Sequence, residues 1–515
     1  MKLLKRVLFV SFLCSFLLIW DSLKHRSNSQ KINSLVVNLG FPPTNLNPHL
    51  VRFPREIFLI SHLYEGLFRF GENGSIIPGL AERVSVSQDG LSYLIGLRKS
   101  LWSDGTPVTA YDFVRSWQKV IRPGFRFPFF GFHLNWIKGV DQLNSGHADW
   151  STVSLCADGD YCLSFTLKQP IHHFKHLLAL PIFFPVREDS DSSNVICNGP
   201  FRVKSFDGFK SLLLEKNPFF WDAESVFLKE IQLLFLEEEV QLPLFESGEI
   251  DCIGFISLYS EKDIERFSLN RQVVQSGSSV VCAMRINLDE RILSSKKIRQ
   301  ALSMALDRKE LVKTSETITP PSYRYFPLPF SDHLPFISLK EDPNEARRLF
   351  LEGLQEKGLE MSLFQGFSIC CLPFCRSFAQ VIQQQLLKNL GIYVRIILLD
   401  SSDYFQRVSS GDFQLALSRF VSSYQDPYSL LDCFFHDRNM NWDSSYFRLL
   451  FQTGLSMEGE EKKACIAEIE RHILDELPVI PLSFGSPPFL LQTGLIGVVS
   501  SPYLSLDFSR ACWAK

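Results

Sequence analysis

Residues 102–117 read Trp102-Ser103-Asp104-Gly105-Thr106-Pro107-Val108-Thr109-Ala110-Tyr111-Asp112-Phe113-Val114-Arg115-Ser116-Trp117. Asp104-Gly105 is a turn pair, and Pro107 fixes the direction in which the chain leaves it. Thr109 is suited to cap a helix over Ala110–Ile121, because a side-chain oxygen at that position satisfies an amide of the first turn. Phe113 and Trp117 stand four apart, on one face of that helix, and Pro123 stops it. The strand Tyr93–Arg98 precedes the turn, so the stretch reads as strand, tight turn and capped amphipathic helix.

Working outward, residues 27–34 are polar and read as a linker. Leu35–Leu39 is a short strand ending at Gly40, and Pro42, Pro43 and Pro48 force an irregular loop after it. Further strands are expected at Cys162–Leu167, Phe201–Lys204, Leu212–Glu215 and Phe227–Phe235, with Asn198-Gly199-Pro200 as the turn that opens the second. Glu238–Ser247 reads as a helix closed by Gly248. Beyond Val280–Asn287 helices become frequent, at Lys297–Leu306, Asp307–Lys313, Pro343–Leu354, Ser377–Leu390 and Lys462–Leu474. Asp342 is the expected cap of the third. Phe378, Ile382, Leu386 and Leu390 give the fourth a buried face, with Gly391 beyond its end. The strands Tyr393–Leu399 and Phe413–Leu417 lie between the last two. Strands and helices mixed in several blocks mean an α/β or α+β chain with more than one lobe.

The chain's 515 residues suggest about three domains. Lys+Arg is 53 against Asp+Glu 56, which argues against a nucleic-acid binder. Phe is abundant, 46 residues against 13 Tyr and 8 Trp, so the chain relies on apolar aromatic filling. No apolar stretch reaches the roughly 18 residues of a membrane span. Lys2, Lys5 and Arg6 followed by the apolar run Val7–Trp20 read as an export signal. No small-x-small cleavage pattern follows, and Leu13 is bulky for a lipidation site at Cys14, so cleavage, lipidation and retention as an anchor stay open. Of the 12 cysteines, 11 remain if Cys14 leaves with the signal. They are scattered, and we expect them reduced and packed rather than paired.

We find no catalytic signature: no nucleophile elbow, zinc-protease motif, phosphate loop or dinucleotide loop. We expect no enzyme activity and no cofactor or metal. His172, His173 and His176 are the nearest approach to a metal group, with His172 and His176 on one helix face, but no third ligand is evident. A solvated face after Pro170 is the preferred reading. Cys370, Cys371 and Cys375 lack the spacing of a zinc site.

The 102–117 stretch closely resembles the signature of the family 5 solute-binding proteins, the oligopeptide-binding proteins of ABC importers. Other blocks follow in family order: Leu46-Asn47-Pro48-His49, Tyr64-Glu65-Gly66-Leu67, Asn198-Gly199-Pro200-Phe201, Asn217-Pro218-Phe219-Phe220-Trp221, Ser247-Gly248-Glu249-Ile250-Asp251, Arg299-Gln300-Ala301-Leu302 with Asp307-Arg308, Asp426-Pro427-Tyr428-Ser429-Leu430-Leu431 and Leu477-Pro478-Val479-Ile480-Pro481. The resemblance implies an α/β, two-lobed periplasmic-binding-protein type II fold with an additional domain. Residues 1–30 would be signal or anchor and linker. Lobe I would comprise 31–65, 188–283 and 485–515, the extra domain 66–187 and lobe II 284–484, with a hinge near 283–288 and 483–487. It implies an extracytoplasmic monomer that encloses an oligopeptide or peptide-like solute between its lobes and delivers it to an inner-membrane ABC permease.

The departures bear on the ligand. Peptide binders of this family carry an Asp four residues before the Pro of the Asp-Pro block, pairing with the ligand's α-amine; Ser423 stands there. Arg52 stands where the family can have an acidic residue, and Phe129 where an aromatic often lines the cleft. Tyr424 adjoins the ligand segment, and Trp442 follows it in the polar run Asn439–Ser445; both are expected aromatic walls. Asp426 could replace the missing carboxylate, but an acidic residue before that Pro accompanies the anchoring Asp in the family, so loop structure is the preferred reading. The departures keep two alternatives in view: a non-peptide solute such as a metal chelate, and an exported chaperone-like protein on the same fold.

Overall fold

The computed structural model describes residues 32–51, 54–122, 125, 131–146, 148–190, 194–255, 261–270, 272–274, 280–313, 320–328, 330–332, 334–335, 337–436, 442–485, 488–501 and 505–514. Its organisation starts from the same turn. Gly105 adopts φ 88°, and the Asp104 carboxylate accepts from the Thr106 amide at 3.0 Å and its hydroxyl at 2.6 Å. The helix runs Ala110–Ile121, and Asp112 in its first turn accepts from the Thr109 amide at 2.7 Å. Phe113, Trp117, Val120 and Ile121 form its buried stripe. The Trp117 indole donates to Phe183 O at 2.9 Å, which makes a large ring compatible with full burial.

This helix covers an antiparallel sheet of four strands in the order Ala81–Val86, Ser92–Leu97, Cys162–Thr166, Leu155–Ala157. Tyr93, Ile95 and Leu97 point inward by strand alternation. A second sheet has seven strands, in the order Val273–Val274, Phe489–Leu491, Cys252–Ile253, Ser34–Asn38, Glu230–Leu234, Ser211–Lys216, Phe201–Phe206. Three distant chain segments therefore build one sheet. A third sheet orders Arg395–Leu398, Ser368–Cys371, Leu415–Val421, Val280–Ile286 and Val479–Phe484.

Val280–Ile286 pairs along its length with Leu415–Val421 and also with Val479–Phe484. Residues 283–286 therefore lie inside a sheet, not at the hinge expected there. The chain passes between the two large sheets once between Val274 and Val280, and again between Phe484 and Phe489. The strand expected at Phe227–Phe235 begins only at Glu230, where pairing with Ser34 starts.

Helices Lys296–Met304, Pro343–Lys357 and Arg376–Leu390 cover the third sheet, and Asp342 caps the second of them through two amides. Arg308 is fully buried, donating to Pro481 O at 2.9 Å, Ser303 O at 3.2 Å and Ser303 Oγ at 2.9 Å. The Asp307-Arg308 block is thus a clamp between helix and strand. A further layer consists of Tyr428–His436, Ser445–Gly454 and Gly459–Glu476. Its apolar residues share one core with the four- and seven-stranded sheets and with Val281, Ala283 and Val479 of the five-stranded sheet, while Met284, Ile286, Ile480 and Leu482 of that sheet pack into a second core with the covering helices.

Two of the sequence blocks form one joint. Asn198 accepts from the Glu65 amide at 3.1 Å and donates to Glu65 O at 2.9 Å. A Cβ on Gly199 would lie 2.5 Å from the Leu63 carbonyl carbon, so only glycine allows this backbone approach.

Candidate ligand-binding site

The loop after strand Leu415–Val421 carries Ser422, Ser423 and Tyr424, all buried. Tyr424 donates to Asp432 Oδ2 at 2.7 Å, and its ring stacks on His173 with centroids 5.3 Å apart at 15°. His173 also stacks on Tyr428, at 5.2 Å and 22°. Asp426 accepts from the Tyr428 amide at 3.0 Å and from Lys462 Nζ at 2.5 Å, and His173 Nδ1 lies 4.0 Å away. Gln425 lies against Gly74, where a Cβ would come within 3.0 Å of its own Cβ. The loop is therefore pressed between Lys462 of the helix Gly459–Glu476 on one side and Gly74 and His173 on the other.

The electrostatics follow from burial. Burial alone would raise the Asp426 carboxyl, but His173 and the Lys462 ammonium outweigh it and hold the group below the usual carboxylate range. Burial pushes Asp432 up to about 8, against the Tyr424 hydrogen bond, so this carboxyl is largely protonated at neutral pH. Burial lowers His173 to about 4, against the pull of Asp426. The loop thus presents a carboxylate already paired with a cation, a neutral acid and neutral imidazoles.

Of the six residues expected at the site, Arg52 and Phe129 lie outside the described residues. Ser423 is buried in the loop, 4 % exposed. Tyr424 and Trp442, expected as cleft walls, direct their rings to protein partners. Those of Trp442 are Phe434, Phe447 and His472 at 5.5, 5.0 and 5.3 Å. Asp426 is ion-paired to Lys462.

His133, His173, Asp432 and Lys462 were not anticipated here. The only signal was the 172–176 histidine run, read as a solvated face. Its helix spans just Phe174–Leu177, so His172 and His176 do not share a helical face as ligands would. His172 turns instead to Ser456 O at 2.6 Å and to Glu458.

A separate cavity of about 50 Å³ is lined by Ser61, Tyr64, Glu65, Arg69, Asp507 and Ser509, among others. Glu65 is buried beside it, and its carboxyl is raised to about 7 by burial, with Arg69 opposing.

Residues 75–442 match the family described as bacterial extracellular solute-binding proteins, family 5 Middle. The chain belongs to this family. Across almost its whole length it is 27% identical to the dipeptide-binding protein DppE of Bacillus subtilis, over 95% of this chain and 93% of that one. The murein tripeptide-binding protein MppA of Escherichia coli superposes with TM-score 0.83 at 23% identity, covering 94% of this chain and 99% of that one. The unliganded open form of MppA superposes less well, with TM-score 0.68 at 22% identity, covering 94% and 98%. The fold is therefore the two-lobed type II binding-protein fold with an additional domain. The relative setting of its lobes departs from that open form.

Proposed function

We propose that this family member is an extracytoplasmic binding protein that encloses a peptide or peptide-like solute and delivers it to an ABC importer. The observation that carries the reading is family membership over residues 75–442, joined to relatives named for binding a dipeptide and a murein tripeptide. On this reading the seven-stranded sheet is the centre of lobe I, the four-stranded sheet that of the extra domain and the five-stranded sheet that of lobe II. The protein works as a monomer in the periplasm with an inner-membrane permease, and residues 1–30 direct its export or tether it. Arg52, Phe129 and Ser423 border the ligand, while Tyr424, Asp426 and Trp442 support that border from behind.

Ser423 and the Asp426–Lys462 pair favour a particular ligand end. A serine accepts a hydrogen bond but cannot neutralise an ammonium, and the adjacent carboxylate is already paired at 2.5 Å. Peptides with a free N-terminus are expected to bind weakly. N-blocked, acidic or otherwise anchored solutes, a chelate among them, are expected to bind better. The test is calorimetry of one tetrapeptide, free and N-acetylated, against wild type and Ser423→Asp. The free-amine form should gain affinity in the variant, by on the order of tenfold or more for a new buried charge pair. Tight wild-type binding of the free amine, lost on acetylation, contradicts the reading.

A further inference from the structure

The extra domain and lobe II meet through a row of imidazoles. The His172 amide donates to Leu455 O at 3.2 Å, and its ring pairs with Glu458 and reaches Ser456 O. Gln169 adds a bond to Gln452 O at 3.1 Å. His173 stacks on both Tyr424 and Tyr428, and His176 lies 6.3 Å from the Tyr424 ring. His133 Nε2 stands 3.6 Å from Asp432 Oδ2. Trp136 stacks on Phe435 at 6.2 Å. Every one of these contacts joins residues 133–176 to residues 424–458. Because the extra domain is also tied to lobe I, through the Ser103 amide to Cys197 O at 2.7 Å and the His49 ring to Phe184 O at 3.0 Å, a movement of lobe II away from lobe I separates the two faces.

We propose that this row is a latch that holds lobe II to the extra domain in the closed molecule, and that protonation of His173 releases it. Closed, His173 is fully enclosed by two tyrosine rings and its own domain, which excludes the water an imidazolium needs. The charges facing it do not compensate. Asp426 is already bound to Lys462, whose cation opposes a second positive charge, and His172 and His176 oppose it too. Burial also lowers His176, so acid acts on it in the same direction. Asp432, facing His133 and Tyr424, is largely protonated at neutral pH and adds little change on acidification. Open, His173 regains water and an ordinary histidine affinity for protons. Acid therefore favours the open form. A folded value of about 4 against 6.5 in water multiplies the opening equilibrium about 20-fold between pH 7 and 5.

The experiment is hydrogen exchange by mass spectrometry on the full chain at pH 7.0 and 5.0, corrected for intrinsic rates, with no ligand added. The His172 amide, bonded across the interface, is the direct reporter, and the strand Val280–Ile286 is the control. Wild type should show exchange about 20-fold faster at pH 5.0 in segments 168–177 and 452–462, with the control unchanged. His173→Phe keeps a ring on both tyrosines but takes no proton, and should remain protected at pH 5.0. Three results overturn the proposal: no acceleration in wild type, equal acceleration in the variant, or acceleration that includes the control strand. The wild-type comparison decides the matter even if His173→Phe does not fold.

Discussion

Replacing Lys462 by methionine removes the cation bound to Asp426 while keeping most of the stem that crosses Tyr428. Both charges are mostly buried, at 18 % and 11 % side-chain exposure, and Nζ lies 2.5 Å from Oδ2. At an effective dielectric of about 20 the gross attraction at that distance is about 6–7 kcal/mol, and desolvation offsets much of it. Breaking such a pair from one side leaves the other charge uncompensated, which costs about 3–5 kcal/mol. Asp426 keeps the Tyr428 amide and the distant His173, so we expect Lys462→Met to cost about 3 kcal/mol at pH 7.5. Asp426→Asn should cost less, because the Lys462 ammonium lies nearer the surface. The double variant should lie closer to wild type than Lys462→Met does. The signature is also pH-dependent. Without Lys462 the Asp426 carboxyl titrates higher, so part of the deficit disappears by about pH 5. Urea unfolding of the four proteins at pH 7.5 and 5 measures this directly. A Lys462→Met deficit under about 1 kcal/mol, or one with no pH dependence, refutes the reasoning.

Two further predictions concern buried acids. Glu65 has a carboxyl raised from 4.5 to about 7 by burial, so its ionisation opposes folding: stability is greatest below about pH 4.5 and is lost as pH rises through 7. Glu65→Gln should therefore stabilise the protein by up to about 3 kcal/mol at pH 8 and by little at pH 4, read from unfolding curves; equal effects at both pH values contradict this. Glu470 is fully buried and accepts from Arg324 Nε at 3.1 Å, from Arg324 Nη2 and from the amides of Tyr325 at 2.9 Å and Phe326 at 2.8 Å. Glu470→Gln puts a donor where only donors point and leaves Arg324 unpaired, so calorimetry should show a loss of about 3–5 kcal/mol, and an unchanged melting profile rules the clamp out.

Much of the fold was legible where the physical cause is local. Thr109, Asp342 and Gly391 are caps and stops whose chemistry acts within a few residues, and all three stand where a helix begins or ends. Pro54–Leu63 carried no such signal. Ile57, Phe58, Leu59, Ile60 and Leu63 are all buried, so the helix lacks the one-sided pattern that betrays a surface helix. Val280–Ile286 misled for a related reason: a central strand buried on both faces has no alternation, and its far end at Asn287 resembles a boundary.

The site was legible only as far as a motif reaches. The place of Ser423 before Pro427 follows from the family pattern, but the fate of Asp426 does not, because Lys462 approaches it from a helix 36 residues on. His173 meets Tyr424 from a distant part of the chain. Sequence spacing offered a metal group or a solvated face, whereas the tertiary fold made this histidine a buried ring between two tyrosines. The consequence reaches the ligand. The loop bearing Ser423 is backed by Asp426, Tyr424 and Tyr428, and each of these is fixed by Lys462, Asp432 or His173. Asp426 therefore cannot swing toward a ligand ammonium without abandoning its cation and leaving the mostly buried Lys462 ammonium without a counter-charge, so one ion pair would be exchanged for another with no net gain. On the proposed placing of Ser423 beside the ligand, a carboxylate introduced at 423 needs no such rearrangement, which is why Ser423→Asp, and not a change at Asp426, is the informative test of the charge of the ligand.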